Sequence, residues 1–220
     1  MPMKIRERLA FLAQFRADFH HTGAIQPSSR YLAQAMTEPL RLAPTWPGRQ
    51  GLRVLEIGPG TGAVTRSIVG SMRGKDRLEC YEVNPAFVRF LERLICRDPH
   101  FHRVAGQIHL FNAPAQELET AERFDFIVCS APLNNFDAAA IEAIFDTGFA
   151  ALEPNGCFTF FEYLALPVLR RWLVRGPEGQ ALAATKAAKD ERLSRHSSRS
   201  RRVWLNLPPA VVHHLRANGG

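Results

Sequence analysis

Apolar and polar positions alternate along this chain in two rhythms. Near the start, Ile5, Leu9, Leu12, Phe15 and Phe19 recur at helical spacing, with Lys4, Arg6, Arg8 and Arg16 beside them. That stripe predicts an amphipathic helix over 3–20. A second helix is expected from about Ser29 to Thr37, started by Pro27, Ser28 and Ser29 and stopped before Pro39. Proline and glycine then mark a linker from Pro44 to Gly51. Beyond it come short apolar runs that suit buried strands: Arg53–Ile57, Leu78–Glu82, Ile108–Phe111, Phe124–Ser130 and Cys157–Tyr163. Helical periods fill the gaps at Ala63–Met72, Pro85–Cys96, a short piece near Ala115–Thr120, and Asp137–Leu152. Pro154-Asn155-Gly156 reads as the turn before the fifth strand. Strand and helix in strict alternation call for an α/β fold, a parallel doubly wound sheet with helices on both faces.

After Tyr163 the rhythm changes. Leu166–Val174 and Glu178–Leu193 are predicted helices, and Arg202–Leu205 and Ala210–Leu215 are predicted strands around Asn206-Leu207-Pro208-Pro209. Those strands bring the sheet to seven. Ser194 to Ser200, where Arg and Ser alternate, is the expected mobile loop. Two parts follow: residues 1–45 as an N-terminal helix and cap, and 46–220 as the main domain. A basic helical insertion at about 166–201 interrupts the second part.

Charge sharpens this picture. The chain of 220 residues carries +7, and between Arg170 and Arg202 ten Lys and Arg stand against three acids, so the whole excess sits in one segment. Something anionic is the expected partner of that segment. The hydrophobic fraction of 46% is ordinary. No apolar run is long enough to span a bilayer, and charges through Arg16 argue against a signal peptide, so the expected compartment is the cytoplasm. The cysteines at 80, 96, 129 and 157 and the pairs His20-His21 and His213-His214 lack ligand spacing, so no metal is expected. Cys80, Cys129 and Cys157 are expected to pack as small apolar side chains.

The densest chemistry is at Val54-Leu55-Glu56-Ile57-Gly58-Pro59-Gly60-Thr61-Gly62, an apolar strand ending in an acid and a glycine turn. Glycines let backbone approach a ligand closely. Glu82 ends the next strand, 22 positions after Gly60, near the ~20-residue offset at which a carboxylate meets a ribose. The glycine order is not that of a dinucleotide fingerprint, which places a pyrophosphate on a helix N-terminus. It resembles motif I of the class I methyltransferases, which bind S-adenosylmethionine. That ligand is a sulfonium cation without phosphate, and a carboxylate at Glu56 suits it.

The chain as a whole resembles the bacterial phospholipid N-methyltransferases, a family close in sequence to rRNA adenine dimethyltransferases. Three segments carry the likeness: Gly23-Ala24-Ile25-Gln26-Pro27-Ser28-Ser29-Arg30, the Val54–Gly62 motif, and Arg202-Val203-Trp204-Leu205-Asn206-Leu207-Pro208-Pro209-Ala210-Val211. The resemblance implies a Rossmann-like, seven-stranded class I methyltransferase sheet with an N-terminal helical cap. It also implies an enzyme on the inner face of the membrane. This enzyme would methylate the amine of phosphatidylethanolamine toward phosphatidylcholine, or that of an ornithine lipid. The basic stretch 170–202 and helix 3–20 would then meet an anionic lipid surface, with no obligate protein partner.

Site roles follow from position in that fold. Gly58, Gly60 and Gly62 would wrap the methionine part of the cofactor, Glu56 its amino group, and Glu82 the ribose hydroxyls. Asn112 and Ala113 would contact adenine, and Ser130 is placed on the cofactor side. Ser130-Ala131-Pro132-Leu133 stands where nucleic-acid amino methyltransferases carry a motif ending in an aromatic ring that stacks on the base. Leu133 lacks that ring, which argues against RNA, although Phe136 lies near. An aliphatic amine must lose its proton before it can attack a methyl carbon. Tyr163, Glu162 and Tyr31 are the catalytic candidates, without a choice of base among them. Two rivals are an RNA adenine methyltransferase and a binding module that keeps the fold without turnover.

Overall fold

The computed structural model describes residues 28–42, 51–118, 123–133, 136–164 and 177–216. The helix expected over 3–20, that at Leu166–Val174, and Asn134 and Asn135 lie outside the described residues. The first described helix, α1, spans Arg30–Met36, where Ser29 caps it by accepting the Leu32 N–H at 3.2 Å. The chain does not stop there. Helix α2, Glu38–Leu42, follows at once with Pro39 in its first turn. Proline fits at that place because the first N–H groups of a helix have no intrahelical partner.

The alternating core matches its sequence pattern closely. It runs β1 (Arg53–Ile57), α3 (Ala63–Ser71), β2 (Arg77–Tyr81), α4 (Pro85–Arg97), α5 (Pro99–His102), β3 (Ile108–Phe111), β4 (Phe124–Cys129), α6 (Ala138–Ala150) and β5 (Leu152–Tyr163). The chain ends with α7 (Pro177–Arg195), β6 (Ser197–Val203) and β7 (Ala210–Arg216). The seven strands form one sheet in the order β3-β2-β1-β4-β5-β7-β6. β1 to β5 are parallel, and β7 runs antiparallel to both β5 and β6. The sheet is therefore mixed rather than parallel throughout.

Three further expectations are corrected. The mobile loop assigned to Ser194–Ser200 is α7's last turn and the start of β6. The strand assigned to Arg202–Leu205 ends at Val203, and Trp204 and Leu205 are turn residues. β6 pairs on one edge only, and an edge strand tolerates the Arg-Ser alternation that hid it. β5 also begins earlier than expected. Pro154-Asn155-Gly156 lies inside it as an irregularity, with a register shift against β4 between Phe124 and Phe126 and Asn155 at φ 67°.

Each face of the sheet buries its own core. Val54, Leu78, Phe126, Phe161 and Tyr163 meet α1 and α3 on one side, and Leu55, Ile127, Phe158 and Phe160 meet α6 on the other. Phe145 of α6 packs on Phe158 and Phe160 at ring distances of 5.2 and 5.3 Å. Period-two alternation thus divides the buried strand residues between the two cores, except at the irregularity of β4, where Phe124 and Phe126 fall in different ones.

Candidate active site

The parallel strands deliver their C-terminal ends to one edge, where open α/β sheets bind ligands. β1 ends there in Glu56 and Ile57, followed by a turn with Gly58, Gly60 and Gly62 at φ 68°, 58° and 80°. Three left-handed residues in five positions explain the glycines. At Gly62 a side chain has no room either, since a Cβ would lie 2.9 Å from Leu91 Cδ2 and 3.0 Å from Leu94 Cδ2. The turn is pinned to neighbouring strand ends. Gly58 N donates to Tyr81 O at 2.9 Å, and Ser130 N to Ile57 O at 2.9 Å.

Glu82 holds the turn directly. One carboxylate oxygen accepts from Gly60 N at 3.0 Å and the other from Asn84 N at 2.9 Å. Asn112 stands beside it, donating its amide to Glu82 O at 2.8 Å. Ala113 is half-buried against the second core. The residues expected to contact ribose and adenine therefore meet at the ends of β2 and β3.

Glu56 is fully buried on the face of β1 that meets α3. It accepts from Ser130 Oγ at 2.7 Å, and Cys80 Sγ lies 3.8 Å from its other oxygen. Burial drives its pKa up to about 7, against the pull of Ser130, Thr65 and Cys80, while the nearby Glu82 charge adds to the rise. Cys80 packs in the core as expected, but burial and Glu56 also push its thiol well above its ordinary value. Sequence reasoning missed Thr65 and Cys80 as partners of this carboxylate. The signal was the register, which sets Glu56 opposite Cys80.

This arrangement fits S-adenosylmethionine. Glu56 meets only hydroxyl and thiol donors among the described residues, with no cation beside it. A cationic amine entering here would supply the missing countercharge. The three left-handed glycines leave the backbone open to close approach.

The catalytic candidates are divided. Tyr163 and Glu162 are neighbours on β5, so their side chains leave opposite faces of the sheet. Tyr163 is 3% exposed in the first core, edge-on to Phe161 at 5.3 Å, and burial raises its hydroxyl's pKa. Glu162, on the other face, binds Lys189 Nζ and accepts from His213 Nε2 at 3.2 Å. Burial alone would raise its pKa, but His213 and Lys189 outweigh this and bring it down to about 2. So weak a base does not take a proton from an ammonium group. Glu162 and Tyr163 cannot converge on one amine. Tyr31, half exposed on α1, accepts from the Arg30 guanidinium at 2.8 Å. α1 packs on β5, β6, β7 and α3, the Tyr163 side of the sheet.

The basic segment is largely neutralised within the fold. Lys186, Lys189, Arg192 and Arg195 pair with Asp190, Glu162, Asp146 and Glu191, while Arg199 and Arg201 share Glu38. Arg170, Arg171 and Arg175 lie outside the described residues. Arg202 has no such pair among the described residues.

Comparison with known proteins points to one chemistry. A relative named ornithine lipid N-methyltransferase, from Singulisphaera acidiphila, is 24% identical over 154 residues, covering 70% of this chain and 77% of that one. The fold matches the O-methyltransferase TomG from Streptomyces achromogenes, solved with S-adenosylmethionine, at TM-score 0.65 and 15% identity over 96% of this chain and 90% of that one. It also matches the N-methyltransferase NodS from Bradyrhizobium japonicum at TM-score 0.56 and 19% identity over 86% of this chain and 97% of that one. The family model described as "Methyltransferase domain" matches residues 28–205. With the glycine turn and its two acids in place, the chain belongs to that methyltransferase family and uses S-adenosylmethionine as methyl donor.

Proposed function

We propose that the acceptor is the amine of a membrane lipid, with phosphatidylethanolamine and ornithine lipid as the two substrates to compare. The observation that carries this reading is Leu133. It is fully buried in the second core, and Phe136 packs half-buried against the same core. No ring is offered at that position to stack on a flipped base, and an aliphatic amine needs none. The name of the Singulisphaera relative supports the same reading.

Bound at this edge, S-adenosylmethionine supplies an electrophilic methyl carbon on a sulfonium. The chain's own residues then have three tasks. The Gly58–Gly62 turn, Glu56 and Glu82 orient the donor, which removes much of the entropy of alignment. The buried surroundings of Tyr163 favour the neutral amine over the ammonium, because burial penalises charge. Tyr163 and Tyr31 then hold the nitrogen so that its lone pair faces the methyl carbon. S-adenosylmethionine would supply the methyl group and leave as S-adenosylhomocysteine, and the methylated amine would pass its surplus proton to water before any further round.

Incubation with labelled cofactor and separate amine lipids, with products resolved by mass, tests the proposal. Label in phosphatidylethanolamine or ornithine lipid is the expected result. Label in the adenine ring of added RNA, with none in lipid, would overturn it.

A further inference from the structure

We infer that the turn between β6 and β7, residues 204–207, docks the protein on an anionic lipid bilayer. β6 runs parallel to β5 and β7 antiparallel, so this turn projects from the edge of the sheet that carries the glycine turn, Glu82 and Ser130. It is well anchored. Leu164 N donates to Pro209 O at 2.8 Å, and Val203 pairs with Ala210. Asn206 is 5% exposed, donating to Pro208 O at 2.7 Å and accepting from Ser29 N at 3.0 Å.

On this anchored frame the apolar side chains face outward. Trp204, Leu205 and Leu207 are 66%, 68% and 76% exposed, although three of four residues are large and hydrophobic. Asn206 is the buried member, so the usual order of apolar inside and polar outside is inverted. Half-exposed Tyr31 and exposed Arg30 follow Ser29 on the helix that Asn206 ties to the turn. Behind the tip stand Arg201, with a side chain 53% exposed even while it pairs with Glu38, and Arg202.

An apolar tip with a tryptophan and a cationic collar matches the chemistry of a bilayer interface. Tryptophan settles at headgroup depth, leucines enter the acyl boundary, and arginines meet anionic headgroups. Nucleic acid fits less well, since single strands are held by stacked rings and two of the three exposed side chains here are aliphatic. The inference rests on the lipid-amine reading in one respect only: docking at this edge would bring headgroups to the cofactor site.

Flotation of the full chain with vesicles of equimolar phosphatidylglycerol and phosphatidylcholine tests the docking without any activity assay. The double variant Trp204→Ser/Leu205→Ser changes only exposed side chains, and retained S-adenosylmethionine binding verifies its fold. Its partition onto these vesicles should fall at least about tenfold. In a Trp46→Phe/Trp172→Phe background, Trp204 emission should shift to the blue on the same vesicles and be quenched by brominated acyl chains. Unchanged flotation of the double variant overturns the inference, as does unshifted Trp204 emission. So does equal binding to pure phosphatidylcholine vesicles, or binding to single-stranded RNA that needs Trp204 while vesicles are ignored. Vesicle binding without lipid methylation would refute the substrate reading and leave the docking intact.

Discussion

Replacing Glu56 by glutamine should stabilise the empty protein and weaken its grip on the cofactor. The carboxyl is fully buried, and its pKa stands at about 7 against an ordinary 4.5. A gap of that size corresponds to about 3 kcal/mol between the protonated and ionised forms. The folded state of an acid so raised holds its proton longer than the unfolded state does. Stability is therefore fully present below about pH 4.5, declines as pH rises toward 7, and levels off above it. Glutamine does not ionise, keeps an oxygen for Ser130, and removes that decline. Its amide N–H groups need acceptors beside Cys80, which takes back part of the gain, so about 1–2 kcal/mol should remain at alkaline pH. For a chain of this length that is a rise of about 2–8 °C in Tm. Thermal unfolding of both proteins without cofactor, from about pH 5 to about pH 9, reads the effect as two curves that converge in acid. Calorimetry with S-adenosylmethionine at neutral pH should show the variant binding at least tenfold more weakly, since a charge-assisted contact is worth about 1.5–3 kcal/mol. Parallel stability curves across the whole range, or equal cofactor affinity, would refute the assignment.

Other substitutions probe the remaining contacts. Gly62→Ala places a Cβ against Leu91 and Leu94 at a φ of +80°, so urea unfolding should show a loss of about 1–3 kcal/mol, with cofactor affinity falling as well. Lys189→Met leaves the Glu162 carboxylate beside His213 without its lysine. It should lower stability by about 2–4 kcal/mol, and adding Glu162→Gln should restore part of the loss. The Glu162 carboxylate, at about 2, also contributes stability that is present above about pH 4.5 and is lost as pH falls toward 2. Acid unfolding of Glu162→Gln should be correspondingly less steep. Tyr163→Phe should bind cofactor normally and turn over more slowly on amine lipid, and normal turnover would remove the hydroxyl from the reaction.

The first half of the sheet was legible from its short, mainly apolar runs. β1, β3 and β4 fall within a residue of expectation, β1 and β4 because they are buried along nearly their whole length and β3, at the sheet edge, because Ile108, Leu110 and Phe111 mark it. The cofactor edge was legible for a related reason: a left-handed turn demands glycines, and the acids at the two strand ends mark its neighbours. β6 was not legible. Its Ser197–Val203 sequence is polar, and an edge strand needs backbone pairing on one side rather than an apolar pattern. The apolar Val203-Trp204-Leu205 run drew the strand assignment forward onto residues that the turn exposes. Glu162 and Tyr163 were expected together at one amine, although alternation alone sends the side chains of adjacent strand residues to opposite faces. The pairing of Glu162 with Lys189 and His213 does not follow from alternation, because it depends on how α7 and β7 fold back over β5.

The hydrogen bond from Ser29 to Asn206 spans 177 residues. During vectorial synthesis the α1 segment leaves the ribosome long before the strands it packs against, β6 and β7, have been translated. Leu32, Ala33, Ala35 and Met36 can meet α3 early, but their cover is complete only once the last two strands have been made. Helix α1 is thus completed late. A nascent chain released short of Asn206 would retain the glycine turn and lack the bond that ties the start of α1 to the β6–β7 turn.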